Sequence, residues 1–504
     1  MKTSYILMIV TVFAKLFGLL REKAIAYFFG ASILSEALLV ALQVPMTFTN
    51  VISGVSANGF IPIYEEISSK KGEENANDFT SNVVNIITIC FVIISILLII
   101  FSRPLVRAMA TGFLDETFEV ALTLTRFALV SVVATGVFSI FKAYLQIKRR
   151  FIVSVCHAIV MNVILIVAMG ISKNLGINYL GIGILVAFVF QYVIFLPYIK
   201  KSGYRYNFKF NFKDENVIKL IKIIVPVLIS TSVIELNFII SKSLASSLFQ
   251  GALSYVNFAY KLQSFVTGIV VTSIVTAIYP QMSRLGAKKD VMGLKKSVSD
   301  SLITMSILVI PSSIGLLLFA TPIVELLFVG GEFTKNDGIM TATVLSFYAL
   351  GVIGIGIREI LSRAFYAIFD TKTPVINSCI MVFINVILSF LLMKELGIKG
   401  LALATTISFI VGAILLIFSL KNKIGKFIDK KSIIEILKIL IASIVMGITS
   451  KLVYSSIFGI VGFKIGLILS IMVAGIVYLT ALLILKVGEL KGILNKILKK
   501  NMES

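Results

Sequence analysis

The chain has 504 residues, of which 58% are hydrophobic and 14% charged, and its mean hydropathy is +1.02. A soluble protein of this length could not cover so much apolar mass with polar surface, so composition excludes one. The net charge of +22 does not point to nucleic acid, because the Lys and Arg residues sit in short loops between apolar runs rather than on one soluble face. No Ser/His/Asp, HExxH, Walker or Rossmann arrangement is present, and Cys90, Cys156 and Cys379 lie in apolar context without metal spacing. Neither an enzyme nor a resident cofactor is expected.

Apolar runs long enough to cross a hydrocarbon core of ~30 Å recur almost to the end of the chain. They predict an all-α polytopic membrane protein with about fourteen transmembrane helices, over 4–26, 32–62, 82–102, 119–146, 153–172, 178–199, 217–243, 252–281, 298–320, 339–366, 374–394, 398–420, 433–456 and 462–486. The first run lacks a small-residue cleavage site, and Lys15, Arg21, Glu22 and Lys23 follow within or just after it. It reads as a retained helix rather than a secretory signal. Segment 64–80 is too polar to span. The single histidine, His157, falls next to the end of the fifth span and reads as an interfacial residue.

Alternate loops differ in charge. One set holds Lys148/Arg149/Arg150, Lys200/Lys201/Arg205/Lys209/Lys213, Arg284/Lys288/Lys289 and Lys421/Lys423/Lys426, whereas 244–251 has no charge. By the positive-inside rule both termini are cytoplasmic. The end of the chain, 487–504, places Leu490, Ile493, Leu494 and Ile497 on one helical face and lysines mostly on the other, predicting an amphipathic tail on the anionic cytoplasmic leaflet.

The two halves repeat. Asn162-Val-Ile-Leu165 recurs as Asn385-Val-Ile-Leu388, Leu175-Gly-Ile177 as Leu396-Gly-Ile398, and Pro62 is matched by Pro280, all at offsets of about 220. An offset spanning an even number of helices keeps topology, so the repeat predicts two pseudo-symmetric six-helix lobes (1–200 and 215–420), with spans 433–486 outside them. Two such lobes around a cleft suit alternating access.

Ionisable residues inside spans are costly and usually face protein or water. Lys15, Arg21 and Glu22 lie in the first span, Glu36 in the second, Lys142 in the fourth, Glu235 and Lys242 in the seventh, Lys261 in the eighth, and Arg358, Glu359 and Arg363 in the tenth. Lys23, Lys242 and Arg363 lie near span ends and read as snorkelling. Arg21 and Glu22 can pair with each other or with Glu36. The rest form a net-positive set that suits an anionic, diphosphate-bearing cargo.

The stretch FAKLFGLLREKAIAYFFGASILSEALLVALQVP (13–45) resembles the opening of the MurJ/MviN lipid II flippases. So do GEFT (331–334), YALG (348–351), REILSRAFYA (358–367), DTKTP (370–374) and LGIKGLALATTIS (396–408). The resemblance implies a bacterial inner-membrane flippase that carries lipid II, the undecaprenyl-diphosphate-linked peptidoglycan precursor, by alternating access. Membrane lipids and the cell-wall synthesis machinery would be its partners. It assigns the cargo cavity to Lys15, Arg21, Glu22, Glu36, Lys261 and Arg358. It places a sodium site at Ser241, Asn385, Ser389 and Thr405 or Thr406, with Asn385 and Thr405 the candidate ligands. Two departures stand out: Thr49 or Asn50 replaces an expected Arg in the second span, and Ser241 and Ser389 replace the two expected Asp ligands. Energy would come from sodium or from the membrane potential. The alternatives are a flippase of another undecaprenyl-linked glycan, a multidrug antiporter, for which the cavity has the wrong sign, and a non-transporting scaffold.

Overall fold

The structure is a computed structural model that describes residues 2–488. The predicted amphipathic tail, beyond its first two residues, therefore lies outside the described residues. Sixteen α-helices account for nearly all of the described chain, and a single isolated bridge, Gly330 to Phe333, is its nearest approach to a strand.

Eleven helices among the described residues are long and apolar enough to cross a membrane. Two further helices, α1 (Lys2–Phe29) and α9 (Glu215–Ser246), are 28 and 32 residues long. The last two expected spans fall in α16 (Lys430–Ile484), two helical segments that meet at a kink at Gly462, whose φ of 76° is non-helical. Starts and stops follow local chemistry. Asp214, Asp290 and Asp429 accept backbone N–H groups at the heads of α9, α11 (Val291–Leu318) and α16.

Helix packing divides the chain into two compact units, Met1–Asn257 with Gly330–Thr334, and Phe258–Val329 with Lys335–Ser504. The division falls within one continuous helix, α10 (Ala252–Ala287), and it leaves α9 in the first unit.

In the first unit, α6 (Asp115–Ile147) is central. It packs on α2 (Ile33–Val55), α4 (Glu73–Ile100) and α8 (Ile177–Lys201), while α7 (Phe151–Leu175) lies between α8 and α1. A π-helical turn at Ser56–Phe60 joins α2 to the short α3 (Ile61–Lys71). An aromatic core gathers Phe60, Tyr64, Phe79, Phe138, Tyr144 and Phe195. His157 belongs to this core rather than to an interface: it is 8% exposed, its ring centroid lies 4.6 Å from that of Phe138, and Nδ1 is 2.8 Å from the Ser154 carbonyl.

The second unit repeats the plan. Helix α13 (Lys335–Ala367) packs on α11 and α15 (Ile398–Ile424), and α14 (Lys372–Leu396) packs on α15. The lengths match as well. Helices α4, α5 (Ser102–Met109), α6 and α7 have 28, 8, 33 and 25 residues, and α11, α12 (Ala320–Leu327), α13 and α14 have 28, 8, 33 and 25. Helix α16 is the addition, resting on α11 through Ile303, Ile307, Ile439 and Met446, with the Tyr478 hydroxyl donating to the Ile307 carbonyl at 2.6 Å.

Candidate functional site

The buried charges of the first unit form three linked groups. The first is on α1. Arg21 Nη2 donates to Glu22 Oε1 at 2.5 Å, and the two side chains are 7% and 2% exposed. Asn257, at the head of α10, donates to the other Glu22 oxygen at 2.9 Å. Sequence left the partner of Arg21 open between Glu22 and Glu36; the structure pairs it with Glu22. Arg21 Nε and Asn257 Oδ1 are buried and have no hydrogen-bond partner among the described residues. The site therefore keeps one aimed donor and one acceptor in reserve.

The second group is at Glu36. Its carboxylate accepts the Leu253 backbone N–H at 3.0 Å, and the neighbouring Ser35 hydroxyl is 2.9 Å from that of Ser254. Glu36 sits in the first turn of α2 and faces the first turn of α10, so two helix dipoles favour its negative charge.

The third group is a chain of hydrogen bonds between α2 and α9. Lys242 Nζ donates to Gln43 Oε1 at 3.0 Å, Gln43 Nε2 donates to the Thr47 hydroxyl at 3.2 Å, and Thr47 donates to Glu235 Oε2 at 3.1 Å. Asn50 donates to Glu235 Oε1 at 2.9 Å. Lys242 does not snorkel, as its position near a span end suggested: it is 4% exposed, with Nζ 4.6 Å from the centroid of the Phe238 ring. Its opposite charge is two helical turns away, reached through an amide and a hydroxyl. Of Thr49 and Asn50, one of which stands where the resemblance leads one to expect Arg, Thr49 donates to the Pro45 carbonyl and Asn50 to this acid.

Lys15, on α1, is half-buried. Of the remaining cavity candidates, Lys261 and Arg358 belong to the second unit and are half-buried on α10 and α13. Arg358 donates to the Ser378 hydroxyl at 3.1 Å, and its guanidinium lies 5.9 Å from the Phe409 ring. One turn on, Arg363 reaches Glu359 at 3.4 Å and lies between the Tyr279 and Tyr366 rings at 5.6 and 5.7 Å. Arg363, placed at a span end in the sequence, thus has aromatic and carboxylate company.

Of the sodium candidates, Asn385 and Ser389 sit one turn apart on α14, with the Ser389 hydroxyl 3.4 Å from Asn385 Oδ1. Thr405 donates to its own helix at the Leu401 carbonyl and Thr406 to the Phe347 carbonyl. All of these oxygens are neutral, and no group of three or more His, Cys, Asp or Glu side chains able to hold a metal occurs among the described residues. A cation held there would meet neutral oxygens from these side chains, without the carboxylates that strengthen a hard-cation site.

Sequence reasoning singled out the charges and missed two amides that organise them, Gln43 and Asn257. Their signal was an amide inside an apolar run, where a polar side chain almost always bonds across helices.

The lipid II flippase MurJ profile matches residues 25–480. The chain belongs to the MurJ family. A probable lipid II flippase MurJ of Rickettsia prowazekii is 29% identical over 414 residues, 81% of each protein. A solved lipid II flippase MurJ in an inward closed conformation superposes with a TM-score of 0.81 at 26% identity, covering 95% of this chain and 98% of that one. A multidrug-resistance MATE transporter shares the fold at a TM-score of 0.70 and 14% identity. Membership makes the chain a multi-pass membrane transporter rather than an enzyme. The MurJ-like GEFT stretch has a visible role in it. The Glu332 backbone N–H donates to the Tyr27 carbonyl at 3.0 Å, and Lys173 pairs with Glu332 at 2.9 Å. Gly331, at φ 59°, lies so close to the Tyr27 carbonyl that no side chain fits there. The motif thus clasps the far end of the helix that carries Lys15 and Arg21.

Proposed function

We propose that this chain moves lipid II from the inner to the outer leaflet of the bacterial cytoplasmic membrane by alternating access, with Lys15, Arg21, Lys261 and Arg358 offering positive charge to the diphosphate. The observation that carries the reading is the match of the MurJ profile over 25–480, together with those cations within the spans. Arg21 Nε, buried and unbonded, supplies a donor for an anionic headgroup. Glu22 and Asn257 hold the guanidinium in place, and Glu36 fixes α2 against the head of α10. Both termini face the cytoplasm in this reading, as the loop charges require. The membrane potential acting on the cationic spans is the energy source we favour, since one charge moved across 100 mV is worth ~2.3 kcal/mol.

Complementation of a strain depleted of its lipid II flippase tests this directly. Rescue with wild-type chain, and no rescue with Lys261→Ala that still inserts, is the expected result. Normal externalisation of lipid II when the native host is depleted of this protein would overturn it.

A second reading, transport of another undecaprenyl-linked glycan, draws support from one observation. Where a further Arg is expected there is neutral Thr49 or Asn50, and Asn50 is committed to Glu235, so the net positive charge offered to the cargo is smaller. Rescue of a strain lacking a different undecaprenyl-linked glycan flippase, without rescue of the lipid II strain, would favour this reading.

A further inference from the structure

The loop between α8 and α9 reads Tyr204-Arg-Tyr-Asn-Phe-Lys-Phe-Asn-Phe-Lys213, with an aromatic ring at every even position and a basic or amide residue at every odd one. This is the period of a β-strand, yet the segment pairs with no strand. It lies extended along the first turns of α4.

Its polar atoms are consumed there. Asn82 reproduces a strand edge: its amide donates to the Asn211 carbonyl at 2.9 Å and its oxygen accepts the Asn211 N–H at 2.7 Å. Asn85 donates to the Lys209 carbonyl at 2.8 Å and accepts from the Tyr206 hydroxyl at 2.9 Å. Asp78 takes Asn207 Nδ2 at 3.1 Å and Lys209 Nζ at 3.2 Å, and Asn77 donates to the Gly203 carbonyl at 3.2 Å. Tyr204 packs inward against the rings of Phe141 and Tyr144, and the four later rings are left outward. Tyr206, Phe208, Phe210 and Phe212 are 58%, 80%, 43% and 47% exposed.

Two observations identify what covers this face. The first is its level on α4. Asp78, Asn82 and Asn85 continue at helical spacing into Ile89, Ile93, Ile96 and Ile100, which are all exposed on the same face. The strap ends one turn, about 6 Å of rise, before this apolar stripe begins. It therefore sits where the surface of a membrane-spanning helix passes from polar to apolar. The second is charge. Residues 200–213 hold five cations (Lys200, Lys201, Arg205, Lys209, Lys213) and no carboxylate, and all but Lys209 are exposed. Exposed rings beside cations at a bilayer boundary match the amphipathic belt found at membrane interfaces, where anionic headgroups attract Lys and Arg.

We infer that the 204–213 strap is an interfacial anchor. Its aromatic side chains enter the headgroup layer of the leaflet, and Arg205 and Lys213 engage anionic lipid headgroups. This is independent of the cargo: it requires only that the protein spans a membrane.

The chain contains no tryptophan, so Phe208→Trp in the full-length protein is a single-site reporter, and Phe212→Trp is a second one. Each is reconstituted into phosphatidylcholine vesicles brominated on the acyl chains near the headgroup, with and without one third phosphatidylglycerol. The expected result is blue-shifted emission, with quenching by bromine several-fold stronger than by aqueous acrylamide. Phosphatidylglycerol should strengthen the bromine effect, and Arg205→Glu with Lys213→Glu should remove that increment while preserving bromine quenching in neutral vesicles. Emission that acrylamide quenches as freely as it does a tryptophan amide in water, with no bromine effect, overturns the anchor and leaves a face for a soluble partner. Bromine quenching that ignores both phosphatidylglycerol and charge reversal overturns the engagement of anionic lipid.

Discussion

Helices α4 to α7 and α11 to α14 have equal lengths in the same order, and α6 and α13 hold equivalent central places in their own units. Their polar contents differ. The first unit buries a charged pair at Arg21 and Glu22, and at Lys242 the head of a relay that ends at half-buried Glu235. In the second unit the corresponding interior bonds are mostly neutral, such as Ser389 to Asn385, Asn377 to Ser419 at 3.2 Å, and Gln263 to the Tyr348 carbonyl at 2.5 Å. The scaffold therefore comes from apolar periodicity and helix length, which the repeat preserves. The specialised chemistry comes from the few positions at which the copies have diverged.

The sharpest way to break this comparison is at the buried pair. Glu22→Ala leaves the Arg21 guanidinium buried beside Asn257 without its carboxylate, and breaking such a pair costs about 3–5 kcal/mol. A large drop in thermal stability of the detergent-purified protein is expected, with loss of complementation. The double variant Arg21→Met/Glu22→Leu should recover most of the stability and none of the transport. Recovery of both would make the pair a purely structural element.

The relay comes next. Glu235→Gln and Lys242→Met each remove one end of a chain that joins two opposite charges of α9 through Gln43 and Thr47 of α2. Each single change should cost about 1–3 kcal/mol, and the double variant less than the sum. Additive losses in a double-mutant cycle would show that the two charges do not communicate through Gln43 and Thr47.

A comparable loss is expected at Gly331, where Ala would meet the Tyr27 carbonyl at a positive φ, costing about 1–3 kcal/mol. Gly397 also has positive φ, 56°, but opens onto free space. Its Ala variant should lose less in the same melting experiment, and equal losses would remove the clasp argument.

The smallest effect is at the surface of the second unit. Asp370 follows α13; burial works to raise its pKa, but hydrogen bonds from Lys423 and from the Thr373 hydroxyl and backbone hold it at about 2. Because that folded value lies below an unfolded value near 4, the group adds stability above about pH 4 and loses it as pH falls toward 2. Asp370→Asn should flatten the acid limb of a stability–pH curve by at most about 1 kcal/mol, the scale of a solvent-screened ion pair. An unchanged limb would show that the Lys423 contact contributes nothing.

Most of the architecture was legible because hydropathy and loop charge are one-dimensional signals. The all-helical, membrane-spanning architecture needed no knowledge of partners. What could not be read was rotation and long-range pairing. Distance from a span end suggested a snorkelling Lys242 and an interfacial His157, but burial depends on which side of the helix each residue faces. Lys242 bonds Gln43, 199 residues away, and Glu22, besides its neighbour Arg21, bonds Asn257, 235 residues away. No local pattern encodes such pairs. The break between the last two expected spans falls at Gly462, where the second of them was expected to start.

The placement of Gly330–Thr334 in the first unit has a consequence for biosynthesis. A chain made from its N-terminus puts α1 into the bilayer long before Asn257 exists to meet Glu22, and longer still before Glu332 reaches the Tyr27 carbonyl. The first helix must wait in the membrane, with its ionised pair only partly bonded, until more than three hundred residues have left the ribosome. A nascent chain stalled before the clasp is therefore an open form of the first unit, and the membrane insertion machinery must shelter it until then.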